Sequence, residues 1–316
     1  MASATRLPLN VVFSSSAIFE SGWTGPRDLA AWRRYQIEHE QEPMAPAPGL
    51  VFLQRLLALN RYPTFKKGDN PVRVKIISQQ PPDVAVRFLN SLEHHGITSY
   101  YDAGLLQCSY LNELTPKRAL NRTLSLLGHF NSHLFVTKDE LMTRQLLKQG
   151  CAAVCLSPME SESLVSVADG LIVAFDGDAV IFGDEAERVF EVGGLKAFAE
   201  GESEQALMPL SQGPLCGFLL ALSELRKKFS DKKERSPLQI VLVTARSTPA
   251  QKRVLLTLRS WGVSLDEAHF VAGDDKGPYL ASLGATIFFD DSTHNIHAAR
   301  KHGIPAAHVP WGVRNG

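Results

Sequence analysis

Two aspartates separated by one glycine, Asp176 and Asp178, follow directly on the apolar run LIVAF, and the chain then turns apolar again. Short apolar runs bounded by Gly, Asp or Pro read as buried strands, so Asp176 closes a strand and projects its carboxylate from the strand's end. Gly177 lets the backbone turn without a Cβ clash, and Asp178 swings back over the same space. A carboxylate held against an electrophile can act as a nucleophile. A second one beside it can give a proton to a leaving group and later take one from water. Further on, Thr244 ends the run LQIVLVT, Lys276 lies in a loop after AHFVA, and Asp290 and Asp291 follow ATIFF. Crowded carboxylates resist ionisation unless a cation sits among them, and an all-oxygen set favours Mg²⁺. Asp176, Asp178, Asp290 and Asp291 are the candidate ligands. A Thr244 hydroxyl and a fixed charge on Lys276 suit a phosphoryl group whose oxygens shift charge during transfer. Gly177, Ala245 and Arg246 are candidate substrate contacts, with Arg246 read as a phosphate or base contact or as a helix-start arginine.

These residues need elements to bring them together. The second half alternates strands LIVAF, LQIVLVT, AHFVA and ATIFF with helices PLCGFLLALSELRKKF, TPAQKRVLLTLRSWG and HNIHAARKHG. The helices follow from apolar spacing of three and four. Such alternation predicts a mainly parallel sheet with helices on both faces, and ligands bind at the carboxyl ends of its strands. Four segments distant in sequence then converge on one crevice.

The first half repeats the order. VKIISQQPPDVAVRFLNSLEHHGI aligns without a gap on IVLVTARSTPAQKRVLLTLRSWGV, pairing Ser78 with Thr244 and Arg87 with Arg253. VVFSSSAIF sits against VAFDGDAVI, and HLFVTKDEL against TIFFDDSTH. Asp176 faces Ser14, Asp178 faces Ser16, Asp290 faces Thr137 and Lys276 faces Gln107. Asp291 faces Lys138; the apolar frame is kept while nearly every charged group is lost, which marks those groups as chemical rather than structural. The expectation is an internal duplication: a degenerate lobe over 1–158, a linker over 159–170 and a catalytic lobe over 171–316. Residues 20–48 and about 183–212 are insertions after each lobe's first strand, the second forming a small cap.

Composition bounds the rest. The chain has 316 residues, 44% of them hydrophobic, with 33 Lys plus Arg against 33 Asp plus Glu. That balance gives no basic excess for nucleic acid or an anionic membrane. The basic stretch RKKFSDKKER reads as a solvated helix end. No apolar run is long enough to span a bilayer. The N-terminus reads as a first strand rather than a cleavable signal. Cys108, Cys151, Cys155 and Cys216 form no CxxC pair and read as free thiols of a reducing compartment.

FDGDAV, VTARS, DDKGP and FFDD, in this order, resemble the four motifs of the haloacid dehalogenase superfamily of phosphohydrolases. More narrowly, VAFDGDAVIFGDEAERV, PLSQGPLCGF, TLRSWGVSLDEAHFVAG and AAHVPWGV are similar to the cytosolic 5′-nucleotidase type I family. FSSSAIF, RYQIEHEQEP and DVAVRFLNSLEHHGI extend the likeness over nearly the whole chain. The resemblance implies two Rossmann-like α/β/α lobes of haloacid dehalogenase type. It also implies Mg²⁺-dependent hydrolysis of nucleoside 5′-monophosphates in the cytosol, AMP-like ones preferred. By motif, Asp176 would be the nucleophile that becomes an aspartyl-phosphate and Asp178 the general acid and base. Thr244 and Lys276 would hold phosphoryl oxygens. Asp176, the Asp178 main-chain carbonyl and one of Asp290 and Asp291 would hold Mg²⁺. A homo-oligomer and a nucleotide effector are compatible with this reading. Two rival readings are a phosphatase of another small phosphate ester and a nucleotide-binding regulatory protein without turnover.

Overall fold

The computed structural model describes residues 8–26, 28–66, 68–97, 105–108, 115–158, 170–229 and 236–315. Its strands are β1 (Leu9–Ser14), β2 (Phe19–Glu20), β3 (Ala45–Pro46), β4 (Val72–Ser78), β5 (Leu105–Cys108) and β6 (Leu134–Thr137). They continue with β7 (Ala153–Leu156), β8 (Leu171–Phe175), β9 (Leu238–Thr244), β10 (Glu267–Phe270), β11 (Ile287–Asp290) and β12 (Ala306–His308). Ten of them form one sheet in the order β10-β9-β8-β11-β12-β7-β6-β1-β4-β5, while β2 and β3 pair as a separate short ribbon. Every residue of β6, β8, β9 and β11 is buried. Strands buried on both faces read as continuous apolar runs and belong to a sheet covered by helices on either side.

Within each half of the sheet the strands are parallel. The halves carry one strand order: the first strand of each (β1 or β8) lies centrally, the second and third flank it on one side, and the fourth and fifth on the other. They meet at β7 and β12, which run antiparallel with His308 opposite Cys155 and Ala307 opposite Leu156. The expected two lobes therefore share one continuous sheet. The antiparallel seam also turns the carboxyl edge of the first half to the side opposite that of the second. Aromatic packing crosses between the halves: Phe52 meets Phe13 at 5.8 Å between ring centroids and Phe289 at 6.2 Å, and Phe289 stacks against Phe175 at 5.3 Å. Apart from Gly170, the expected linker lies outside the described residues. Among the described residues no helix is long and apolar enough to cross a membrane.

Each half also ties its insertion, in the same way, to the helix that follows its second sheet strand. Arg253, on the helix Gln251–Ser260, donates from Nε to the Met208 carbonyl (2.9 Å) and from Nη1 to Glu202 (2.7 Å). One turn on, the Thr257 hydroxyl donates to the Arg253 carbonyl (2.8 Å) and accepts the Leu210 N–H (2.9 Å). In the first half, Arg87 donates to the Glu42 carbonyl (3.1 Å) and to Gln36 (3.3 Å). There the Ser91 hydroxyl donates to the Arg87 carbonyl (2.7 Å) and accepts the Met44 N–H (2.9 Å). Each residue lies the same distance along the chain from its counterpart. The sequence alignment paired the two arginines; their hydrogen bonds repeat as well.

The Thr257 hydroxyl is fully buried. Thr257→Val keeps its shape but strands the Leu210 N–H, which is expected to cost about 1–3 kcal/mol. A urea melt that leaves the midpoint unchanged would refute the role given to this tether.

Candidate active site

β8 delivers Asp176 at its end, where the Asp176 N–H still donates to the Phe289 carbonyl of β11 (2.8 Å). The chain then makes a wide turn over Gly177–Ile181, closed by the Phe182 N–H on the Gly177 carbonyl (2.9 Å). Inside it Asp178 is extended and Ala179 takes φ +57°, a left-handed conformation uncommon for any residue with a side chain. A Cβ at Gly177 would stand 3.2 Å from the Thr244 hydroxyl and 3.4 Å from the Phe182 ring. Glycine therefore lets the end of β9 close against the turn.

Lys276 lies at the centre. It is 2% exposed, and its Nζ donates to Asp176 Oδ1 and Asp290 Oδ2, each at 2.7 Å. Burial alone would lower its pKa, but the Asp176 and Asp290 carboxylates outweigh that and raise it. Asp290 is held further by the Ser292 N–H on Oδ1 (2.8 Å) and by the Asn295 amide on both oxygens (3.1 and 3.0 Å). Asp291 differs. It is 3% exposed and its buried Oδ2 has no hydrogen-bond partner. Burial, then the Asp176 and Asp290 charges, push it up to about 9. Asp176 is pushed up to about 6, by burial first, with Lys276 pulling down and Asp290 pushing up. Asp176, Asp290 and Asp291 each offer an oxygen within 4.8 Å of the others. One ammonium against three buried carboxylates leaves negative charge uncompensated, and hard oxygen donors fit a divalent cation such as Mg²⁺.

Asp178 is bound elsewhere. Arg246 grips it with both arms of its guanidinium, Nε to Oδ2 at 2.8 Å and Nη2 to Oδ1 at 2.7 Å. The same guanidinium donates to Glu202, which in turn accepts from Arg253. All four side chains are buried. The Phe198 ring lies 5.5 Å from the Arg246 guanidinium. Burial would lower the Arg246 pKa, but Asp178 and then Glu202 raise it.

A model of the 5′-nucleotidase family matches residues 1–316. The chain belongs to the 5′-nucleotidase family. Cytosolic 5′-nucleotidase 1B of Homo sapiens is 31% identical over 288 residues, covering 89% of this chain and 44% of that protein. The chain thus spans less than half the length of that relative. A solved structure of a Pnkp1/Rnl/Hen1 complex aligns over 99% of both chains, at 12% identity and a TM-score of 0.30, too slight a likeness to bear on the fold.

In this 5′-nucleotidase-family chain, the sequence-derived residues do gather at one edge of the second half-sheet. Asp176, Lys276 and Asp290 touch directly, with Asp291 beside them, and Thr244 abuts Gly177. Ala245 is exposed next to Thr244. Arg246 is turned onto two acids and buried, rather than presented to solvent. Lys276 is not in a loop: it opens the helix Lys276–Leu283, whose N-cap Asp275 accepts the Gly277 N–H (2.8 Å). An eight-residue helix with Gly and Pro in its first turn shows little of the periodicity that marks longer ones.

Several site residues were missed. Glu202 is the counterpart of Gln36 along the repeat, so extending the Arg87–Arg253 pairing into the insertions would have found it. Asn295 and Arg314 carry no sequence signal. Glu187 sits in the first turn of the helix Glu185–Glu204, where acids are common for reasons of helix polarity alone. Its Oε1 lies 3.4 Å from Arg314 Nε, and burial pushes its pKa up to about 7.

Raised carboxyl pKa values set a direction for stability in metal-free protein. The fold holds protons on Asp291, Glu187 and Asp176 to higher pH than the unfolded chain does, so stability falls as pH rises. That contribution is complete below the ordinary values of 3.8 and 4.5 and is lost by about 9. In EDTA the melting temperature should drop between about pH 6 and pH 9, and Mg²⁺ should recover most of the loss at the alkaline end. A flat profile in EDTA would contradict the crowding of these acids.

Proposed function

We propose that this chain hydrolyses nucleoside 5′-monophosphates, AMP-like ones preferred, to nucleoside and phosphate with Mg²⁺, through an aspartyl-phosphate on Asp176. The observation that carries the reading is Asp176 itself. It stands at the end of a buried strand, between a buried lysine on one oxygen and an unpartnered acid beside it. Family membership supplies the substrate class, and the human relative is named a cytosolic 5′-nucleotidase.

Lys276 occupies Asp176 Oδ1, which leaves Oδ2 to attack phosphorus. The phosphorus–Oδ2 bond forms as the bond to the nucleoside 5′ oxygen breaks, and Asp178 gives that oxygen its proton, a role that requires it first to leave the Arg246 guanidinium, which engages both its oxygens in this structure, and to take up a proton. Water then attacks phosphorus, Asp178 takes a proton back, and phosphate leaves with Asp176 restored. Thr244 and Lys276 hold phosphoryl oxygens through both steps. Asp176, the Asp178 carbonyl and Asp291 would hold Mg²⁺, which when bound supplies positive charge against the phosphoryl oxygens. Asp291 is preferred to Asp290 because both Asp290 oxygens are already engaged. Asp290 then positions Lys276. Gly177 keeps the space between turn and β9 narrow, and Ala245 is the exposed neighbour of Thr244.

The common strand order and repeated tether support a duplication of one haloacid dehalogenase-type unit, 1–158 and 171–316, with 183–212 as a cap on the second. The first unit would have kept the frame and lost the chemistry. The cytosol is the proposed compartment, after the relative's name.

Phosphate release from AMP with Mg²⁺, beside EDTA and Asp176→Asn, tests the reading. Release should vanish in EDTA and fall by about 10³-fold or more in Asp176→Asn. Turnover of an aryl phosphate without release from any nucleoside monophosphate would move the substrate to another small phosphate ester. Binding of AMP without turnover of anything would leave a regulatory protein.

A further inference from the structure

Glu187 is 8% exposed, and its Oε2 is buried without a hydrogen-bond partner. It comes from the excursion 183–212, not from the sheet, yet its Oε1 meets Arg314 (3.4 Å) while the next residue, Asn315, donates from its amide to the Asp291 main-chain carbonyl (2.9 Å), so Glu187 and Asp291 are brought to the same short piece of chain. Asp291 Oδ2 is likewise buried and unpartnered. Two orphaned carboxylate oxygens thus lie on residues that flank Arg314 and Asn315, one from the sheet edge and one from the helix Glu185–Glu204. Arg314 does not resolve this. It reaches only Oε1, at 3.4 Å, and its own side chain is 47% exposed, so the pair is weak. A buried carboxylate oxygen with no donor is costly to keep, which points to a donor supplied by a ligand.

Glu187 is not among the acids whose oxygens lie within 4.8 Å of one another, so it is too far to share their cation directly. Mg²⁺ keeps several of its waters when carboxylates bind it, and those waters are strong donors with fixed directions. We infer that Glu187 Oε2 accepts a hydrogen bond from water on the cation held by Asp176 and Asp291, so that the cation joins the helix Glu185–Glu204 to the sheet edge. Glu187 is thereby a positioning residue for the cation and for the excursion that carries it. The inference rests on the proposed cation site, and acceptors of this outer kind commonly tune metal affinity by 10–100-fold.

The test is calorimetric titration of the full chain, free of substrate, with Mg²⁺ or Mn²⁺, and melting of the same proteins in EDTA. Glu187→Gln should weaken cation binding by about tenfold. Its melting temperature in EDTA should equal or exceed that of the parent, since a buried charge among like charges is removed. A purely structural role predicts the reverse: lower melting in EDTA and unchanged affinity. Binding within about twofold of the parent overturns the inference. Should Glu187→Gln not fold, Glu187→Asp keeps the charge but retracts it by one methylene, and parent-like affinity in that variant overturns it equally. Asp291→Asn separates the two levels. Loss of binding there with parent-like binding in Glu187→Gln sinks only the role of Glu187. Failure of the parent to bind either cation sinks the cation site and the inference together.

Discussion

The buried Lys276 ammonium is the constraint from which the site follows. A lysine at 2% exposure is tolerated only when anions replace its water, and Asp176 and Asp290 do so at 2.7 Å each. Those two anions come from β8 and from β11, which are neighbours in the sheet, so the pairing of strands fixes how the carboxylates converge. The lysine is brought to them by a helix whose first turn is set by its Asp275 cap. One ammonium cannot neutralise three acids, however. Asp291 is left with an unpartnered oxygen, and that remainder is what a cation would answer.

The first half has the same frame without this problem. At the positions of Asp176, Thr244 and Asp290 it carries Ser14, Ser78 and Thr137, all buried and all neutral. Ser15 donates to Ser78 at 3.2 Å, and Ser14 and Ser16 lie 3.1 Å apart, so short hydroxyl pairs fill the edge where the second half crowds acids. Neutral groups need no counter-charge, so these three positions raise no demand for a cation. The one charged counterpart there, Lys138 at the position of Asp291, is paired with Glu20, and the antiparallel seam between β7 and β12 puts this edge on the side opposite the acidic one, so it cannot complete the site across the sheet.

Much of this was readable from the chain and some was not. LIVAF and LQIVLVT fall on β8 and β9 residue for residue, because strands buried on both faces are uninterrupted apolar runs with sharp ends. Asp176, Thr244 and Asp290 could be placed because they stand at such ends. The seam was not readable: it depends on how two edges meet across a segment with no pattern of its own. The partners of Asp178 were not readable either. Arg246 sits where a substrate contact would, and only the folded chain turns it onto Glu202, from an insertion that a strand-by-strand reading treats as decoration. Glu187 was hidden for a different reason, since an acid in a helix's first turn has an adequate local explanation.

Glu187 and Glu202 lie on the same helical excursion and meet opposite fates. Glu202 takes Arg246 on one oxygen and Arg253 on the other, so the far end of the excursion is fully neutralised and fixed to β9 and its following helix. Glu187, near the start, keeps a buried oxygen with no partner. Between them Gly194 adopts φ +67° and ψ −167°, a region essentially closed to residues with a side chain. The helix is broken there, and its two ends need not move as one. The end tied to Asp178 is held by charges the protein supplies itself. Near its start the excursion is hooked to Ser211 through Glu185, but Glu187 itself meets only a half-exposed arginine on one oxygen and nothing on the other, and so Glu187 is the group whose neutralisation depends on what the site contains.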